Sequence, residues 1–215
     1  METETNRRMT TKRNKTVCVF CSSSSKLSEN IKNDGALFAR LLAEKGFNLL
    51  YGGSMQGLMR IVADSHKAAG GYLIGVIPTY MTDTEEVKKR FGASSAAHTD
   101  SLGEHGKLYE GLDEVITTDD MGPRKQLMLE KSDYIVCLPG GVGTYDEFFT
   151  VLALKQVGSH KKPIFLLNSD NYFDALVNLL KHGVEQKTIM PSNFDLFKVR
   201  MCNDTFLDCT ADFND

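Results

Sequence analysis

The sequence predicts an α/β fold of the Rossmann-like, doubly wound kind: a parallel sheet of about seven strands with helices on both faces. Three observations carry that expectation. Short β-branched runs alternate with longer stretches of helical period along the chain, the pattern of successive βαβ units. Three of the runs end in glycine- or serine-rich loops, and open parallel sheets bind ligands outside the carboxyl ends of their strands. The 215 residues, 41% hydrophobic with evenly spread charge, suffice for one substantial core in one domain.

Taken in order, residues 1–15 (METETNRRMTTKRNK) are polar, with five basic and two acidic side chains, and lack the apolar stretch of a secretory signal. They predict a flexible tail ahead of a single domain over 16–215. Strands are expected at TVCVFC (16–21), FNLLY (47–51), YLIGVI (72–77), DEVITT (113–118), DYIVCL (133–138), PIFLL (163–167) and LFKVRMC (196–202). Between them about six helices are expected. Ile31, Leu37, Phe38, Leu41 and Leu42 recur at helical spacing, as do Leu58, Ile61 and Val62, and then Phe148, Phe149, Val151 and Leu152. The stretch at about 79–112 has neither period; a polar loop of that length in a compact domain is usually a lid, a binding loop or disordered.

Composition excludes several classes. A net charge of -3 and a pI near 6.0 supply no field for gripping nucleic acid or an anionic membrane. No run approaches the roughly 20 apolar residues needed to span a bilayer. Five cysteines, an odd count partly within apolar runs, point to a reducing, cytoplasmic setting. Cys18 and Cys21 have the spacing of half a zinc site, yet in a strand they face opposite sides, about 10 Å apart along the chain. A structural reading therefore takes precedence. His66, His98, His105, His160 and His182 share no spacing, and His160 is expected to cap a helix C-terminus.

The loops that carry chemistry are CSSSS, YGGSMQGLM and LPGGVGT. Neighbouring glycines let backbone amides face a ligand, and the helix that follows offers unpaired N–H groups and the positive end of its dipole. A phosphate fits, with Ser23, Gly52, Gly53 and Gly140 to Thr144 as candidate binding residues. None of the loops matches the dinucleotide fingerprint or the P-loop. Thr144 followed by Glu147 is also the spacing of a capping box, with Thr144 starting the helix. Arg124 and Lys125 follow Gly122-Pro123, a helix-start signal. Cations there oppose the helix dipole, which favours a ligand role over a solvated face.

PRKQLMLEKSD at 123–133 and LPGGVGTYDE at 138–147 together resemble the paired PRK and PGGxGTxxE motifs of the LONELY GUY (LOG) family. Its members are cytokinin riboside 5'-monophosphate phosphoribohydrolases long labelled lysine decarboxylase-like. The resemblance extends through VFCSSS, YGGSMQGLM and IGVIP upstream and NYFDALVNLL downstream, with Ser22, Ser54, Arg60 and Gly122 departing from the usual pattern. It implies a homodimer that cleaves the N-glycosidic bond of a nucleoside 5'-monophosphate to free base and ribose 5-phosphate, without metal or organic cofactor. It implies Arg124 and Glu147 as the catalytic pair, Lys125 beside them, and Gly141, Val142, Gly143 and Thr144 as the phosphate loop. Glu85 is implied as a substrate contact, with Glu86 an equal match.

An oxocarbenium-like sugar calls for a carboxylate that stabilises it or activates water, which suits Glu147. Arg124 either orients and ionises Glu147 or binds the sugar phosphate. Asp146 or a loop residue remains open as proton donor to the base. Decarboxylation would need pyridoxal phosphate on a Schiff-base lysine, which neither motif supplies. The alternative is a non-catalytic carrier, since the glycine loops also resemble those of molybdenum-cofactor carrier proteins.

Overall fold

The computed structural model describes residues 14–81 and 108–201. The strands are β1 (Thr16–Phe20), β2 (Asn48–Tyr51), β3 (Leu73–Pro78), β4 (Glu114–Thr118), β5 (Tyr134–Cys137), β6 (Ile164–Leu167) and β7 (Lys198–Arg200). Five α-helices lie among the described residues: α1 (Glu29–Glu44), α2 (Gly57–Ala68), α3 (Met121–Lys131), α4 (Val142–Gln156) and α5 (Asp174–Glu185). Residues 82–107, which hold Glu85 and Glu86 and most of the long aperiodic stretch, are outside the described residues, as are 1–13 of the expected tail.

The seven strands pair in parallel as β4-β3-β2-β1-β5-β6-β7. β1 is central, with Cys18 opposite Leu50 of β2 on one side and Ile135 of β5 on the other. Crossovers between parallel strands are right-handed, so reversing the direction of travel across the sheet must move the helices to the other face. The chain obeys this. Outward from β1 to β3, α1 and α2 pack Phe38, Leu42, Leu58 and Val62 against Val17, Val19 and Leu49. After β4 the chain returns to the centre. There α3, α4 and α5 place Met128, Phe148, Val151, Leu176 and Leu180 on the opposite layer with Cys18, Phe20 and Ile135.

Cys18 and Cys21 belong to different core layers, as strand alternation demands, and both are free thiols. β4 is an edge whose burial alternates, leaving Val115 exposed. His66 is fully buried, with Nδ1 3.0 Å from the Ala39 carbonyl and Nε2 3.2 Å from that of Tyr72, so it braces α1 against the entry to β3. His160 Nε2 lies 2.9 Å from the Val151 carbonyl, one turn inside the C-terminal end of α4.

β1 and β5 are the strands between which the chain's direction of travel reverses. In open α/β sheets the ligand crevice lies outside the carboxyl ends of such strands. The CSSSS and LPGGVGT loops leave from those two ends, and YGGSMQGLM leaves from β2 beside them.

Candidate active site

α3 and α4 each deliver one charged side chain inward to the same point. Asp120 caps α3, accepting from the Met121 N–H at 2.8 Å, and Arg124 in the first turn is buried. Its Nε donates to the Val76 carbonyl at the end of β3 (2.9 Å), and its Nη1 donates to Glu147 Oε1 (2.9 Å). Arg124 is 7% exposed and Glu147 8%, so both charges sit largely out of water. The guanidinium is thus in direct contact with the carboxylate.

Gly52 explains how so large a cation fits at the end of β2: a Cβ there would lie 2.6 Å from Arg124 Nη2. Burial pushes the Glu147 carboxyl above its usual range, and the Arg124 guanidinium pulls the other way without cancelling it. Glu147 Oε2 has no hydrogen bond among the described residues and is not among their buried unsatisfied atoms. It is the oxygen open to a water or a ligand.

The capping box expected at Thr144 is not formed. α4 begins at Val142, with Gly141 as its N-cap and no side-chain cap. Glu147 is taken by Arg124 and is unavailable to reach back. Thr144 sits buried in the first turn with its side chain folded onto Gly140, where an added Cβ would lie 2.0 Å from Thr144 Oγ1. The helix therefore opens on an N-terminus without a side chain over its N–H groups, with Gly141, Val142 and Gly143 exposed and Glu147 buried behind them. Such an end attracts an anion through both free N–H groups and dipole.

The neighbouring loops interlock with this one. Ser22 N–H donates to the Pro139 carbonyl (3.1 Å), Met59 N–H donates to the Ser22 carbonyl (3.2 Å), and the Ser22 hydroxyl accepts from Ser24 N–H (3.0 Å). Ser23 is exposed at the mouth, while Gly53 is buried and closes on Ile77. The anticipated Arg-Lys pair divides. Lys125 Nζ is held by Asp146 at 2.8 and 2.9 Å and by Thr150 at 3.1 Å, which ties α3 to α4 beside the buried pair.

Two contributors escaped the sequence reading. Lys162 caps the C-terminal end of α3 by donating to the Leu129 and Glu130 carbonyls, and the Tyr172 hydroxyl donates to the Gly140 carbonyl at 2.6 Å. Each joins residues about thirty apart, and neither has a local pattern that announces it.

A family model described as possible lysine decarboxylase matches residues 59–208. Among curated proteins, a cytokinin riboside 5'-monophosphate phosphoribohydrolase of Arabidopsis thaliana is 36% identical over 183 residues, which is 85% of this chain and 71% of that protein. A protein of the same name from Rhodococcoides fascians is 34% identical over 190 residues, 88% of this chain and 85% of its own. Among solved structures, the molybdenum cofactor binding protein of Rippkaea orientalis superposes with a TM-score of 0.62 at 18% identity, covering 94% of this chain and 99% of that one. A Moco carrier protein of Chlamydomonas reinhardtii gives 0.61 at 21% identity, covering 94% and 96%. At these identities the solved structures share the fold.

Proposed function

The chain belongs to the LONELY GUY family, and from that premise we propose that it is a phosphoribohydrolase, which cleaves the N-glycosidic bond of a nucleoside 5'-monophosphate. One observation carries the reading to this chain's own residues: the buried Arg124–Glu147 pair lies directly behind the uncapped N-terminus of α4. The 5'-phosphate sits on the N–H groups of Gly141 to Thr144, with Ser23, Gly52, Gly53 and Gly140 shaping the loops around it. Lys125 holds Asp146 and α4 in register, and Glu85 contacts the substrate.

In this reading Glu147 faces the sugar through Oε2. As the bond from the anomeric carbon to the base nitrogen breaks, positive charge develops on the sugar, and the carboxylate stabilises it and accepts a proton from the attacking water. The oxygen of that water ends on the anomeric carbon, the base takes up a proton from solvent as it leaves and Glu147 returns its proton to solvent, so water and nucleotide give free base and ribose 5-phosphate. Arg124 keeps Glu147 in place and favours its ionised form against burial.

The test is release of ribose 5-phosphate from AMP, CMP, GMP and isopentenyladenosine monophosphate, with the corresponding nucleosides as controls. Turnover of at least one monophosphate and none of the nucleosides is the expected result, and the preferred monophosphate names the base. No turnover combined with tight binding of a phosphorylated ligand would instead make the protein a carrier.

We further propose that the chain works as a homodimer in a reducing, cytoplasmic compartment. Val142 and Phe149 on α4 and Val157 at its C-cap are 84%, 38% and 75% exposed and follow one another at helical spacing, an apolar stripe suited to a second copy. Cys18, Cys21 and Cys137 are unpaired thiols, and no described helix is long and apolar enough to cross a membrane. Sedimentation at micromolar concentration is expected to give twice the chain mass of 23.9 kDa, and a monomer there would refute the dimer.

A further inference from the structure

Tyr172, in the turn between β6 and α5, reaches across to the loop that opens α4. That turn is built stiffly. Asn168 Oδ1 accepts from Phe173 N–H (2.7 Å), Asn168 Nδ2 donates to Asp174 (2.8 Å), and Asn168 N–H donates to the Arg200 carbonyl (2.7 Å). Asp170 and Asn171 take left-handed backbone conformations, φ 52° and 57°, which asparagine and aspartate tolerate better than most residues. Asp170 is held in turn by Ser28, the N-cap of α1, at 2.5 Å and by Asn30 at 3.0 Å. The turn thereby delivers one hydroxyl, that of Tyr172, to the carbonyl of Gly140.

In a planar trans peptide the carbonyl and the following N–H point in opposite directions, so fixing one aims the other. The Gly140 carbonyl and the Gly141 N–H belong to one such unit. With glycine on both sides, nothing steric prevents that unit from rotating to present its oxygen where an N–H is wanted. The preceding unit is fixed by Ser22 N–H on the Pro139 carbonyl. Tyr172 fixes the next.

We propose that Tyr172 is a positioning residue for phosphate recognition. By holding the Gly140 carbonyl it keeps the Gly141 N–H turned toward the bound anion. The proposal rests on the phosphoribohydrolase reading and refines it, because the site can bind the monophosphate only if this peptide unit stays turned. Tyr172 touches no reacting atom.

Tyr172→Phe removes the hydroxyl and keeps the ring. With one hydrogen bond lost, KM for the monophosphate and the inhibition constant of ribose 5-phosphate are expected to rise together by about five- to tenfold. The kcat is expected to stay within about twofold and inhibition by the free base to stay unchanged. A variant with unaltered KM and unaltered ribose 5-phosphate inhibition overturns the proposal. So does one in which ribose 5-phosphate and free base weaken equally, which is what general loosening of the turn would do.

The reading on which this rests is judged separately, on the wild-type chain. If that chain binds without turnover, calorimetry with AMP and adenosine reads the same brace. Loss of the AMP preference in Tyr172→Phe supports it, and an unchanged preference overturns it.

Discussion

Glu147→Gln is expected to lower kcat by about a hundredfold to ten-thousandfold, the range for removing a general base, while the monophosphate still binds. The substitution is nearly isosteric, and Arg124 keeps its bond to the Val76 carbonyl, so the pocket retains its shape. What disappears is the negative charge opposite the developing oxocarbenium ion and the basicity of Oε2. Because the proposed phosphate site is elsewhere, at the start of α4, KM should change far less than kcat. Single-turnover release of ribose 5-phosphate, with calorimetric titration of the inactive variant, measures both quantities. A loss of less than about tenfold would remove Glu147 from the chemistry.

Arg124→Gln is expected to act on stability and activity together. Glu147 is left buried without its counter-charge, and breaking such a pair from one side costs about 3–5 kcal/mol. The sign of the pH dependence follows from the direction of the shift. Burial already holds the Glu147 carboxyl above its usual value, and removing the guanidinium, the main opposing influence, raises it further. A carboxyl raised in the folded state binds its proton more tightly than in the unfolded chain, so stability falls as pH climbs from the ordinary carboxylate value through the folded one. The deficit should be largest at neutral pH and shrink toward pH 5. The acid limb of kcat/KM should move to higher pH for the same reason. Thermal melts across that range in wild type, Arg124→Gln and the double variant with Glu147→Gln provide the check. The double variant should recover part of the stability at neutral pH, and a deficit independent of pH would contradict the account.

The strands were legible because each is a short apolar run, and the observed boundaries fall within a few residues of those expected. The all-parallel order follows from the alternation of strand and helix. What the sequence obscured arises where a distant partner overrides a local pattern. Thr144 and Glu147 satisfy the capping-box spacing, yet Arg124, 23 residues away, claims the carboxylate, and the helix starts earlier on a glycine. Arg124 and Lys125 read as one pair, but adjacent helical residues point about 100° apart, so one goes inward and the other to Asp146. Gly52 read as a phosphate-loop glycine, and its missing side chain also makes room for the guanidinium. Tyr172 had no signal because its partner is a backbone carbonyl 32 residues away.

The pairing of β1 with β5 has a kinetic meaning. Thr16 and Asp133, which meet at the start of that pairing, are 117 residues apart in the chain. Closing so long a loop is among the slowest and entropically most demanding steps available to a parallel sheet. The proposed site lies outside the carboxyl ends of these two strands, so on that reading a nascent chain has no binding site until β5 has been synthesised and has docked beside β1. Neither half of the sheet alone could capture a ligand and be stabilised by it. Acquisition of ligand affinity during refolding should therefore coincide with the joining of the two halves.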